Sequence, residues 1–265
     1  MIKFLNWIRK RHNSVKYVVS PPIKQFVFTG CLPSIPDSRD YSLLTKARII
    51  DVISSKIRLP ITAIKNQGTT SSCVAFSIIA AYETARLLSN RDESAIDGSE
   101  RFLYYYARVQ SNLQNVDAGA HLRDGLNAAR QNGIALEQYC IFNPAEINDK
   151  PSLLAQATAK FLRIKEFYRC WSFDEIKKAL NSYLPVVTAI QVREDFFNYK
   201  KEIYKSTKQF TGLLHAVTII GFDDSKNVLL IKNSWSELWG IEGYAWYDYD
   251  QFKKDSIEAW AVKVI

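Results

Sequence analysis

The chain has 265 residues, 47% hydrophobic and 23% charged, enough for one large domain or two small ones around a substantial core. That balance excludes a wholly disordered chain, and no apolar run approaches the roughly 18–20 residues that span a bilayer. The formal net charge is +8, and six of the excess charges (Lys3, Arg9, Lys10, Arg11, Lys16 and Lys24) fall in the first 25 residues, which hold no acid.

Residues 1–50 read as a basic, proline-marked lead. Its apolar piece "FLNWI" is shorter than the roughly 7–15 residues of a signal-peptide core, so the expected location is cytoplasmic, or exported without a standard signal peptide. The basic tail reads as a solvated, partly disordered segment; contact with an anionic surface is the rival reading, and no nucleic-acid partner is expected. Pro21, Pro22, Pro33 and Pro36 favour extended structure and turns over helix. From Ser72 to Leu88 the pattern is a helix that is apolar on nearly every face, hence buried mid-domain. "SERFLYYYARVQ" and "HLRDGLNAARQNG" read as two more helices, the second stopped by Gly133; "SFDEIKKALNSY" opens another, with Ser172 capping ahead of Glu175. After Pro185 the runs "VVTAIQV", "LHAVTIIGF", "VLLIKNSW" and "GYAWYDY" read as strands. Helices first and strands second predict an α+β domain over residues 51–265. A helical subdomain (about 58–165) faces a β subdomain (about 166–265) across a cleft.

Four cysteines, Cys31, Cys73, Cys140 and Cys170, are spaced too widely for a zinc site and are too few for a disulfide framework. Free thiols, a reducing compartment and no metal or cofactor are expected. Cys73 alone would read as a small buried hydrophobe. Its place is unusual, at the seam between the turn "NQGTTSS" and the long apolar helix. A thiol there has its pKa lowered by the helix N-terminus and by a nearby histidine; Ser71 and Ser72 are good N-cap types. Of three histidines, His12 lies in the tail, His121 at a helix entrance, and His215 opens an apolar strand. The midpoint between His215 and Asn233 falls on Asp224 in the turn-like "DDSKN". A hairpin therefore places Asn233 opposite His215 or within about one residue of it, able to orient the ring. Acyl transfer also needs oxyanion donors, for which the Cys73 N–H and the Gln67 amide are placed.

"NQGTTSSCVAFS", "LHAVTIIGF" and "IKNSWSELWGIEGY" resemble the nucleophile, histidine and asparagine segments of the papain family, and 142 residues separate Cys73 from His215, within that family's spacing of roughly 130–150. The resemblance covers roughly Ile61 to the C-terminus and is nearest to short, bacterial-type members. It implies a papain-like α+β fold, a helical subdomain against a β-barrel-like one. It also implies a monomeric cysteine endopeptidase acting on peptides or proteins: Cys73 as nucleophile, His215 as base and acid, Asn233 as orienter, Gln67 as oxyanion donor. Trp235 would shield the His–Asn bond, and the Gly119 and Ala120 backbone would hold an extended substrate. Leu122, Ala189, Leu214 and Ala216 would wall the main specificity pocket. With Ile257 at its base, that pocket predicts Leu, Val or Phe over Arg or Glu by at least about tenfold; Glu258, if turned inward, would admit a basic side chain. Departures are Thr70 at the position of the family's first disulfide cysteine, Ser71 and Ser236 for glycines, and Val74 for a tryptophan. A transamidase or maturation enzyme on the same residues, and a non-catalytic binding module, are the alternatives. The lead is expected to restrain activity rather than create it.

Overall fold

A computed structural model describes residues 29–35, 37–38, 40–46, 54–89 and 96–264. The basic tail, His12 and the boundary between lead and domain at residue 50 lie outside the described residues. In chain order the strands are β1 (Cys31–Leu32), β2 (Lys56–Arg58), β3 (Ala120–His121), β4 (Ile164–Cys170), β5 (Val186–Arg193), β6 (Ile203–Tyr204), β7 (Phe210–Asp223), β8 (Val228–Lys232), β9 (Tyr244–Asp248) and β10 (Ser256–Val264). The helices are α1 (Leu43–Lys46), α2 (Cys73–Leu88), α3 (Glu100–Val109), α4 (Leu122–Gln131), α5 (Leu153–Ala159), α6 (Phe173–Asn181) and α7 (Tyr249–Asp255). The expected helices form, with Ser172 and Gly133 in the capping roles that the sequence predicts and Ser99 as a further cap. Ser99 and Ser172 accept the N–H groups of Phe102 and Glu175, and Gly133 follows α4 at φ 86°.

The β half is one eight-stranded sheet in the order β4-β10-β5-β7-β8-β9-β6, with β2 on β7. It is strongly bent by bulges and does not close into a barrel. Helix α2 is buried from Cys73 to Ala85. It packs on β7, β5 and β10, and Ala216, Ala189, Val187 and Trp260 of the sheet share a core with α2, α3 and α4. A second core lies on the other face of the sheet, under α6 and the aromatic cluster around Phe196 and Trp239. Residues 56–58 belong to the β half through β2, so the first half receives its helices only after the chain has crossed the sheet.

That crossing segment holds the halves together. Gln67 N–H donates to Ser234 O at 2.9 Å, Ser236 N–H donates to Lys65 O at 3.3 Å, and Asn66 bridges Trp235. Below it, Lys65 Nζ meets Glu83 on α2 (3.0 Å), Glu100 on α3 (2.7 Å) and Asp97 (2.7 Å). Burial alone would draw the Lys65 ammonium down, but the carboxylates of Glu100 and Glu83 outweigh it and hold it above its usual range. Both glutamates are almost fully buried. Lys65→Met would leave Glu83 and Glu100 without the cation they bond, with the charge of Lys232 further off, a loss of about 3–5 kcal/mol. Urea unfolding is expected to show the midpoint falling accordingly; a midpoint within error of the parent would mean that the lysine is not the brace.

Candidate active site

Cys73 is the first residue of α2, and its side chain is fully buried. Ser72 holds the N-cap position but makes no side-chain cap; its Oγ instead meets Thr70 Oγ1 at 2.6 Å. The Ser71–Ser72 capping expectation therefore fails locally, because Thr70 takes the hydroxyl to close the turn on Gln67 O. The first amides of the helix stay aimed at the cleft, and those of Val74 and of Cys73 itself approach the sulfur.

His215 stands on β7 next to Ala216, whose backbone amide lies near enough to the Cys73 sulfur, across the junction of the halves, to pull its pKa down. Its Nε2 lies 2.7 Å from Asn233 Oδ1. That oxygen also accepts Ser234 N–H at 2.8 Å, which fixes it as an acceptor and assigns the proton to Nε2. Nδ1 is buried with no partner among the described residues. The Trp235 ring stacks on the imidazole at 4.4 Å between centroids and 28° between planes, covering the pair.

The hairpin register differs from the sequence expectation. Thr218 pairs with Lys232, and a bulge at Ile219/Gly221 shifts the rest, so Asn233, just past β8, falls two residues from the position opposite His215. The parity is unchanged, both side chains stay on one face, and the bond forms along the diagonal.

Gln67 is fully buried, its Oε1 accepting from Ser234 Oγ (2.7 Å) and its Nε2 donating to Thr70 O (2.8 Å). The carboxamide is thus oriented with its NH₂ toward the turn before Cys73. Leu122, Ala189 and Ala216 are buried and Leu214 partly so. Ala216 pairs with Ala189, and Ala189 pairs with Glu258, so these three and Leu214 share one sheet face toward α2. The pocket base is corrected accordingly. Register slips between Ser256 and Glu258, so Ile257 turns to an outer groove beside Trp171 and Phe173 and is 38% exposed, while Glu258 points inward. Its Oε2 takes Arg169 Nη1 (2.7 Å) and Trp260 Nε1 (2.8 Å). The wall is apolar only down to this acid. Ser236 carries φ 65°, a left-handed conformation that explains the glycine usual there.

The lead lies in the cleft. Gly30 N–H donates to Cys73 Sγ at 3.4 Å, and Gly30 O accepts Ala120 N–H at 2.8 Å. β1 pairs with β3 in parallel, Cys31 beside Ala120 and Leu32 beside His121. Further on, His121 Nδ1 meets Pro33 O (2.8 Å), Ser34 N–H donates to Glu258 Oε1 (3.0 Å), and Arg123 pairs with Asp40. The glycine of "TGCLPS" is the one sequence signal for this fit: a Cβ on Gly30 would stand 1.9 Å from Ser71 O. All four cysteines are free. Among the described residues no group of three or more His, Cys, Asp or Glu is placed to hold a metal ion, and no helix is long and apolar enough to cross a membrane.

The Papain family cysteine protease profile matches residues 48–265. The chain belongs to the papain family of cysteine proteases, a family of hydrolases. It is 30% identical over 194 residues to an uncharacterized peptidase C1-like protein of Acanthamoeba polyphaga mimivirus, covering 68% of this chain and 62% of that one. It is 27% identical over 197 residues to pro-cathepsin H of Mus musculus, covering 69% and 55%. The chain thus spans less than two thirds of these relatives' own length. In fold it is similar to xylellain, a cysteine protease from Xylella fastidiosa, with TM-score 0.81 at 24% identity over 91% of this chain and 97% of that one.

With the lead seated, Cys73 and His215 are both neutral. Burial pushes the Cys73 thiol up to about 11, against the pull of the Ala216, Gly30 and Val74 amides. Burial draws His215 down to about 4 from 6.5, against its bond to Asn233. A depressed histidine favours the folded, closed protein above its ordinary 6.5, and that support is lost as pH falls toward 4; a raised thiol favours it below its ordinary 9.0, and that support is lost as pH rises toward 11. Exchange protection of the Ala120 and Ser34 amides, corrected for intrinsic rates, is expected to be greatest from about pH 6.5 to 9 and to fall on acidification. Constant protection down to pH 4.5 would contradict this.

Proposed function

We propose that this domain is a cysteine endopeptidase held latent by its own lead. The observation that carries it is the His215 Nε2–Asn233 Oδ1 bond, which leaves a buried, unpartnered Nδ1 on the ring beside the Cys73 helix start. Family membership and the orientation of Gln67 support the same reading.

In the open cleft Nδ1 takes the Cys73 proton and the sulfur attacks the scissile carbonyl carbon. The oxyanion receives the Cys73 N–H and the Gln67 amide. His215 returns its proton to the leaving amine, giving the acyl-enzyme, then takes a proton from water as hydroxide attacks and expels the thiolate. Asn233 holds the proton on Nε2 so that Nδ1 is the working nitrogen. Extended peptide would pair with Gly119 and Ala120, and the subsite ending at Glu258 would suit an apolar stem with a polar or basic tip.

The lead blocks this cleft without serving as a substrate. A substrate's acyl portion runs toward the sulfur along β3, whereas the lead runs away from it, and what faces Cys73 is an N–H rather than a carbonyl. The chemistry is tested by digesting a peptide library with full-length protein in heavy-oxygen water, with and without an added amine. Hydrolysis labels the new carboxyl termini, and Cys73→Ala is expected to abolish cleavage while melting like the parent. Cleavage by that variant, or products carrying the amine instead of heavy oxygen, would overturn the endopeptidase assignment.

Latency has its own variant. Gly30→Ala cannot seat without moving Ser71 O, which is backbone. In the full-length chain it is expected to raise peptidase activity and epoxide labelling of Cys73 at neutral pH by about tenfold or more, the effect of about 1.4 kcal/mol against the seated state. Unchanged labelling would show that the lead does not gate the thiol.

A further inference from the structure

A chain of hydrogen bonds that runs from the buried Tyr104 to the exposed Asp117 reaches the cleft from behind and is not used by the steps above. Asp117 lies between α3 and β3. Its carboxylate oxygens accept the Ser71 N–H at 3.0 and 3.1 Å. Tyr104 of α3 donates its hydroxyl to Asp117 Oδ1 at 2.5 Å, and the same hydroxyl accepts the Gly119 N–H at 3.0 Å. One end of the chain is thus the loop two residues before the nucleophile, and the other is the backbone expected to hold an extended substrate.

We propose that Asp117 is a positioning residue that, through Tyr104, fixes the distance between the nucleophile loop and the substrate-binding backbone. The inference rests on the peptidase reading and adds to it the element that sets the cleft's internal spacing. Three observations point the same way. Bonds to a carboxylate are about twice as strong as neutral ones, and this one takes the Ser71 amide with both oxygens. The tyrosine is held in turn: Arg108, fully buried, lies with Cζ 3.9 Å over the Tyr104 ring. Among the described residues Arg108 donates only to neutral oxygens, those of Tyr104, Val116, Ile147 and Asn148, so Asp117, which it feels electrostatically, is a nearby anion answering its charge. Lastly, the papain family's first disulfide starts from the position that Thr70 occupies here; with every cysteine free, the loop must be tied by something else.

The two ends make separable contributions. Misplacing the loop moves the sulfur and the Cys73 N–H relative to the reacting carbonyl, where about 1 Å costs on the order of a hundredfold in rate. Releasing Gly119 loosens the strand that binds substrate and enters KM. Asp117→Ala, Asp117→Asn and Tyr104→Phe are therefore compared in the full-length chain, with and without Gly30→Ala, on one fluorogenic peptide. Epoxide labelling of Cys73 and thermal melting run beside the assay. Asp117→Ala is expected to lower kcat about 10- to 100-fold and to slow labelling. Asp117→Asn, whose amide oxygen still accepts the Ser71 N–H, should recover kcat to within about threefold of the parent. Tyr104→Phe should raise KM about three- to tenfold with kcat within about twofold.

A folded Asp117→Ala with the parent's kcat and labelling rate overturns the proposal, as does Tyr104→Phe lowering kcat without touching KM. If Asp117→Ala does not fold, an unchanged KM in Tyr104→Phe decides against it. If the parent labels normally but cleaves nothing, the peptidase reading fails instead, and the labelling rates of the same variants still decide the role of Asp117.

Discussion

One buried ammonium group sets the frame in which the site can exist. Cys73 and His215 come from opposite halves of the chain, and their alignment is only as good as the junction between α2 and the sheet. Lys65 sits at that junction with carboxylates from α2 and α3 around it. Its backbone neighbours pair with the segment from Ser234 to Ser236. Glu83 and Glu100 lose hydration on folding and recover it largely through this cation, so sliding the halves apart would strand charge in a dry interior. An apolar contact tolerates small shifts; a three-way ionic contact with 2.7–3.0 Å distances does not. Gln67 and Trp235 inherit their positions from the same crossing.

The closed cleft holds a neutral thiol and a neutral imidazole. Water and an open face favour the ion pair that a nucleophilic cysteine needs, and the lead removes both. It also offers the sulfur a donor in place of an electrophile. On the proposed latent reading, the lead would act on the energy of the reactive ionisation state as well as on access. A short parallel strand is sufficient, because the anchoring lies further along at Glu258, His121 and Arg123.

The chemistry-bearing residues were legible because each has a local cue: a cysteine at a helix start, a histidine opening an apolar strand, an asparagine across a turn. Parity along the strands was legible too, which is why the His215–Asn233 bond forms despite a two-residue error in register. What the sequence did not carry were one-residue irregularities. The bulge at Gly221 and the slip before Glu258 arise from how strands bend around α2, and no local pattern announces them. The second of these turned Ile257 outward and Glu258 inward, so the pocket reads less apolar than expected. Asp117 and Tyr104 carry no such cue: a loop aspartate and one tyrosine within "FLYYY" have ordinary solvent and core roles until the fold brings Ser71 beside them. The place of Gly30 was hidden for the same reason: its fit depends on the Ser71 carbonyl, 41 residues away in sequence.

The lead and the cleft it fills are parts of one polypeptide, so the proposed latency would be an intramolecular property in solution. Closure is intramolecular, with an effective concentration on the order of millimolar for a short tether, whatever the amount of protein present. Diluting the protein leaves the closed fraction untouched, and a weak intrinsic affinity between strand and cleft is enough to keep it high. A single cut in the connection before β2 would change the order of the reaction. The freed strand would then rebind as a separate peptide, and at the low concentrations of a dispersed enzyme it would not return.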